Sequence, residues 1–197
     1  MPFSSSVHEE SVDPASVDDG ELLRRAKKDP EVFGVLMERY EQPLRRYLVR
    51  LTGWGEEEVS DILQESFIKA YRHLNEYDED LKFSTWLYRI THNQAIDTLR
   101  SKNRQTVVSD ASLEEVAQYV PGTTNLEAEF LRRDDLKKVR RAILDLPLIY
   151  REVLILRFLE ERTYEEMVDI LKKPKGTIAT LIRRGRVLLL EQLNHTD

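Results

Sequence analysis

The sequence predicts an all-α protein of two small helical domains joined by a flexible acidic linker. Apolar residues recur at helical spacing along most of the chain, and no stretch sustains the strict alternation of a half-buried strand. Around residues 106–125 the periodicity disappears, with Pro121 and Gly122 near the end, over a length unusual for a loop inside one compact domain. At 197 residues, 41% hydrophobic and 34% charged, the chain can bury one moderate core or two small ones.

The first 17 residues carry three acids and no Lys or Arg, are rich in Ser and lack periodicity, so they are expected to be a disordered acidic tail rather than a signal peptide or anchor. Asp18 with Glu21 has the spacing of a capping box, and a short helix is expected to run to about Lys28. Asp29 and Pro30 then supply an N-cap and a first-turn proline for a longer helix. Its stripe is Phe33, Leu36, Met37, Tyr40, Leu44, Tyr47, Leu48 and Leu51, interrupted by Pro43 and closed by Gly53 and Gly55. A third helix starts with three glutamates, which suit a helix N-terminus, and holds Val59, Ile62, Leu63, Phe67, Ala70, Tyr71 and Leu74 on one face. After the acidic break NEYDEDLKF, Ser84 or Thr85 is placed to cap a fourth helix, STWLYRITHNQAIDTLRSKNR. There Trp86, Leu87, Ile90, Ile96 and Leu99 can face the core. Tyr88, Arg89, His92, Asn93, Arg100, Lys102 and Arg104 are left for solvent or a ligand.

Helices are expected to resume near Leu126, and the segment Thr163–Leu190 carries the strongest local signal. Thr163 and Glu166 form a capping box ahead of Met167, Ile170 and Leu171; Pro174 ends that helix, and a second follows with Ile178, Leu181, Ile182, Leu188 and Leu189 inward. This is a helix-turn-helix. Residues 170–190 hold six Lys or Arg and no Asp or Glu, a concentration suited to DNA phosphates. Residues 106–129 are the opposite, with five acids and no base, while 130–197 as a whole, this segment included, carry 15 bases against 11 acids. A chain of net charge −6 repels DNA at long range, so tight binding is expected to need a larger partner.

With no cysteine, disulfides, thiolate zinc sites and thiol nucleophiles are excluded. His8, His73, His92 and His195 are scattered, and neither HExxH, GxSxG nor GxxxxGK[ST] occurs. No enzyme activity, catalytic residue, cofactor or metal site is expected. Nor is a membrane span, since no apolar run approaches the roughly 20 residues required.

Three strings carry a family resemblance: DILQESFIKAYRHL at 61–74, FSTWLYRITHNQAIDTLR at 83–100, and LPLIYREVLILRFLEERTYEEMVDIL at 146–171. In this order they resemble the extracytoplasmic-function sigma factors of the bacterial sigma-70 family. The resemblance covers about residues 20–195. It implies a sigma-2-like domain at 18–105, a linker at 106–125 and a sigma-4-like domain at 126–197 in a cytoplasmic transcription initiation factor. It implies as partners core RNA polymerase, through the beta-prime clamp helices and the beta flap, and promoter DNA, both duplex and non-template single strand; an anti-sigma factor is a further expected partner.

Carried onto this chain, the resemblance assigns Asp61, Gln64 and Glu65 to core-polymerase binding. Lys82, Phe83, Ser84, Thr85, Trp86, Tyr88, Arg89, Asn93 and Arg100 are assigned to the minus-10 element, where aromatic faces and cations offset the cost of unstacking bases. Lys172, Lys175, Thr177, Thr180, Arg183, Arg184 and Arg186 are assigned to the minus-35 element, read by the second helix in the major groove. The linker acids Asp110, Glu114 and Glu115 are candidates for mimicking nucleic-acid charge inside polymerase. The chain departs from the family pattern at Val168, Lys172, Ala179 and Leu181, which leaves base-by-base contacts open. The competing interpretation is a free-standing helix-turn-helix regulator that binds operators without polymerase.

Overall fold

Helix starts and stops follow the capping chemistry of the sequence, with a few corrections. The computed structural model describes residues 17–105 and 138–194. The expected N-terminal tail to residue 16, the linker with Asp110, Glu114 and Glu115, and the helix start near Leu126 lie outside them. Among the described residues all regular structure is helical, and no helix is long and apolar enough to cross a membrane.

Helix α1 spans Asp19–Ala26 and stops short of the expected Lys28. The Asp18 carboxylate accepts from Gly20 N–H at 2.9 Å. Glu21 closes no capping box; it pairs along its own face with Arg24 and Arg25 at 2.5 and 2.7 Å. Helix α2, Pro30–Thr52, is capped by Asp29, runs through Pro43 and ends at Gly53 with φ 72°, the left-handed stop that favours glycine. A side chain at Gly53 would meet a second obstacle, since its Cβ would lie 3.1 Å from Leu144 Cδ2. Helix α3 spans Glu56–Arg72 and hands over to a 3₁₀ turn at Leu74–Glu76. Helix α4 begins at Phe83 and is assigned to Gln105. Ser84 and Thr85 therefore sit inside its first turn rather than before it as caps.

The N-terminal core is the meeting of three stripes: Leu36, Leu44, Leu48 and Leu51 of α2, Val59, Ile62 and Leu63 of α3, and Leu87, Ala95 and Ile96 of α4, all buried. Each buried leucine contributes about 1.5–3 kcal/mol. The edges of the expected stripes come out: Met37 is 37% and Tyr71 42% exposed, although the Tyr71 ring still packs on Phe33 at 5.2 Å.

In the C-terminal half, α5 is described over 138–145, α6 spans Leu148–Leu154 and widens into a π-helical turn at Ile155–Leu159, α7 spans Tyr164–Leu171, and α8 spans Lys175–Asn194. The Thr163–Glu166 capping box is complete, with both reciprocal bonds at 3.2 and 2.8 Å. Met167, Ile170, Leu171, Ile178, Leu181 and Ile182 are buried as the helix-turn-helix pattern requires. Leu188 and Leu189 are only partly so. At Gly185 an added Cβ would lie 3.2 Å from Tyr150 Cβ, so α8 crosses α6 at close backbone range. The buried residues of both halves form one continuous cluster.

Lys172 closes α7 with φ 52°, a conformation that costs a non-glycine residue roughly 1 kcal/mol. Its ion pair with Asp169 at 3.6 Å is largely exposed and offsets little of this. Lys172→Gly is therefore expected to raise stability by about 0.5–1 kcal/mol, read as an upward shift of the thermal midpoint. A downward shift would show that the lysine contacts matter more than the strain.

Candidate nucleic-acid interface

Two cationic surfaces were expected, and they emerge in different states. The second helix of the helix-turn-helix presents Lys175, Thr177, Thr180, Arg183, Arg184 and Arg186 to solvent, and Lys172, at the end of α7, is exposed beside them. Lys175 bonds Glu165 at 2.5 Å, and Thr180 returns its hydroxyl to the Gly176 carbonyl at 2.9 Å. Arg186 lies 6.0 Å over the Phe158 ring, so part of its guanidinium packs rather than reaches out. Leu181 is 8% exposed; its side chain belongs to the core, which explains why this position offers no cation.

On α3, Asp61, Gln64 and Glu65 are exposed together, spaced so that they share one side of the helix. Lys82, Asn93 and Arg100 are exposed and Arg89 is half-buried along α4.

Burial along α4 bears out Trp86 as a core residue and corrects Tyr88 and His92, which were expected toward solvent or a ligand. Phe83, Trp86 and Tyr88 are 3%, 5% and 1% exposed, and His92, expected toward solvent or a ligand, is 5% exposed. Phe83 and Trp86 are held by Tyr77 in an aromatic cluster with centroids 5.2–5.9 Å apart. Thr85 is buried too, and its Oγ1 has no partner.

Tyr88 and His92 are buried for another reason: the C-terminal half packs on α4. Tyr88 Oη donates to Glu160 at 2.8 Å, and the Arg162 guanidinium lies 4.0 Å over the Tyr88 ring. Glu160 also receives Arg50 at 2.6 Å, Arg162 donates to Ser84 Oγ at 3.3 Å, and Lys82 reaches Glu166 at 3.1 Å. Deeper, Tyr47 Oη and His92 Nδ1 are 2.8 Å apart, and His92 Nε2 faces Glu152 at 3.4 Å. An ionised carboxylate only accepts, so Nε2 carries the hydrogen. Glu152 also binds Lys173 at 3.0 Å. Arg151 ties the halves through backbone, donating to the carbonyls of Leu51 and Leu146 at 2.9 and 3.1 Å and to that of Leu144.

The charges follow this packing. Burial pushes the Glu152 carboxyl up, but the hydrogen bonds and charges of His92 and Lys173 outweigh it, leaving the pKa below its ordinary 4.5. Burial, followed by the Glu160 charge, raises the Tyr88 phenol well beyond its usual range. Burial also pushes Glu166 up, yet the Thr163 backbone bond and Lys82 bring it below its ordinary value. At the junction Arg162 Nε is buried without a partner, at a cost of about 1–3 kcal/mol.

Glu152, Glu160 and Arg162 were not among the residues expected to matter. The one local signal is Glu152 directly ahead of the apolar run Val153–Leu156, where an acid next to so much buried surface needs a partner.

A helical bundle joined to a helix-turn-helix with an open cationic face defines a helix-turn-helix DNA-binding class of protein. Comparison with known proteins narrows it. The family described as Sigma-70 region 2 matches residues 36–105, and that described as Sigma-70, region 4 matches 136–189. The chain is 33% identical over 177 residues to the ECF RNA polymerase sigma factor SigW of Bacillus subtilis (strain 168), covering 87% of this chain and 94% of SigW. It is 34% identical over 171 residues to the ECF RNA polymerase sigma-E factor of Escherichia coli (strain K12), covering 84% and 88%. The chain belongs to the extracytoplasmic-function sigma factors of the sigma-70 family. Its fold matches CnrH in complex with the cytosolic domain of CnrY, with a TM-score of 0.65 at 22% identity over 91% of this chain and 99% of that one. The sigma factor RpoE in complex with the anti-sigma factor NepR from Bartonella quintana gives 0.59, at 22% identity over 78% and 91%.

Proposed function

We propose that this chain binds core RNA polymerase, directs it to specific promoters and helps open the minus-10 region, using 18–105 as a sigma-2-like domain and 126–197 as a sigma-4-like domain. The observation that carries the reading is the sequence match to sigma factors along nearly the full chain. The structure supports it with an uncovered cationic α8 and an exposed Asp61–Gln64–Glu65 face.

In this reading the acidic face of α3 meets the beta-prime clamp helices. The C-terminal half meets the beta flap. Helix α8 enters the duplex at the minus-35 element, with Arg183 and Arg184 the best placed to read or clamp it. Lys82, Arg89, Asn93 and Arg100 meet the non-template strand, and the aromatic cluster of Phe83 and Trp86 holds the α4 N-terminus in place for it. An anti-sigma factor is a proposed partner, as the solved complexes of CnrH and RpoE suggest. A free-standing regulator is not favoured: the relatives are sigma factors, and a net charge of −6 works against autonomous DNA binding.

Arg183→Ala and Arg184→Ala are each expected to weaken minus-35 engagement by about 1–3 kcal/mol. The measurement is footprinting of the polymerase complex: upstream protection is lost, while transcription from a pre-melted template is retained. Upstream protection that survives the double substitution would remove α8 from this role.

A further inference from the structure

We infer that the cleft between α2 and α5 is a binding site for a small carboxylate with a short apolar body. The site lies outside the surfaces assigned above to polymerase and DNA, and it stands independently of the sigma-factor reading.

Two helix stripes of the same pattern meet in this cleft. Arg46, Val49 and Arg50 line it from α2, and Arg140, Ile143 and Leu144 from α5, so each helix brings an arginine with an aliphatic side chain one turn further on. Val49 and Ile143 are 7% and 8% exposed, which makes the wall between the guanidiniums a buried one. The three arginines are in different states. Arg50 is engaged, donating to Glu160 at 2.6 Å and to the Leu159 carbonyl at 3.1 Å. Arg46 is half-buried and has no hydrogen-bond or ion-pair partner among the described residues. Arg140 is half-buried as well, and burial, followed by the charge of Arg50, holds its pKa below the ordinary 12.5.

Cations gathered on an apolar wall repel one another and lose water, and an anion seated among them relieves both costs. Size and lining decide which anion. The cavity holds about 30 Å³, where one water takes about 10–15 Å³, so it admits a small group and not a sugar or a base. Apart from the three arginines its lining is aliphatic. A phosphate, all oxygen on its outside, would leave that wall unmet. A carboxylate offers two oxygens to a guanidinium fork and its alkyl group to Val49, Ile143 and Leu144.

The test titrates butyrate, its neutral analogue 1-butanol and inorganic phosphate into the full chain at constant ionic strength, following the methyl resonances of Val49, Ile143 and Leu144. Butyrate is expected to shift them saturably, with a dissociation constant on the order of millimolar for a ligand of about six heavy atoms. It is expected to bind about tenfold or more tightly than either of the other two compounds. Shifts that do not saturate, or 1-butanol or phosphate binding as tightly as butyrate, would overturn the inference on the unaltered chain alone. Arg46→Gln removes no contact within the chain and is expected to weaken butyrate about tenfold. Arg141→Gln, at an exposed arginine of α5 that does not line the cavity, is expected to leave it unchanged. Equal affinities in the Arg46→Gln and unaltered chains, or equal losses in the two variants, would also overturn it.

Discussion

Glu152→Ala is expected to destabilise the junction between the two halves by about 3–5 kcal/mol, the usual cost of removing one member of a buried ion pair. The side chain is 6% exposed and holds His92 at 3.4 Å and Lys173 at 3.0 Å. Without it, Lys173, itself 30% exposed, can turn to water, but His92 and Tyr47 are left facing an apolar gap. The loss is capped by the free energy of the junction, because the halves can separate rather than bury an unpaired imidazole. Thermal unfolding is the measurement, with a fall on the order of 10 °C expected for a chain of this size. A single unshifted transition would contradict the assignment.

The same carboxylate fixes a pH dependence. Its folded pKa lies below the ordinary 4.5, so its stabilising contribution is complete above that value and disappears as pH falls through the lower folded value. Glu152→Gln, which keeps the shape and loses the charge, should differ most from the unaltered chain near neutrality. The two melting curves should converge in acid.

Replacing Asp61, Gln64 and Glu65 together with alanine is expected to weaken core-polymerase binding about 100-fold, while the thermal midpoint stays within a degree or two. The three side chains are exposed, so none contributes packing, and surface changes of this kind alter stability by about 0.5 kcal/mol or less. Charged side chains at the centre of an interface can each account for 2 kcal/mol or more of its affinity. Titration of labelled core polymerase with the triple variant measures this directly. Unchanged affinity would move the contact elsewhere on the domain.

What the sequence made legible was local. The Asp29 cap with Pro30, the Gly53 stop and the Thr163–Glu166 box concern neighbours a few residues apart, and the structure has each of them. The inward faces of α2, α3 and α7 were legible for the same reason, since burial has the helical period. The junction was not. Tyr88 and His92 sit among the polar residues of α4, and nothing nearby reveals that Glu160 and Glu152 cover them from more than 55 positions along the chain. Ser84 and Thr85 misled in a related way. A hydroxyl ahead of an apolar run is a cap signal, but the Phe83–Trp86–Tyr77 cluster draws Phe83 into the helix and carries the start upstream. Leu181 was legible too: the stripe of α8 turns it inward, and the structure buries it.

The central claim is that this chain gives promoter choice to a polymerase that lacks it. Mapping transcript 5′ ends made by purified core RNA polymerase on genomic DNA, with and without the protein, tests it most directly. Discrete start sites that appear only when the protein is present, and vanish with the Asp61, Gln64 and Glu65 triple variant, are the predicted result. Start sites unchanged by the protein, together with tight sequence-specific duplex binding by the isolated chain, would contradict it.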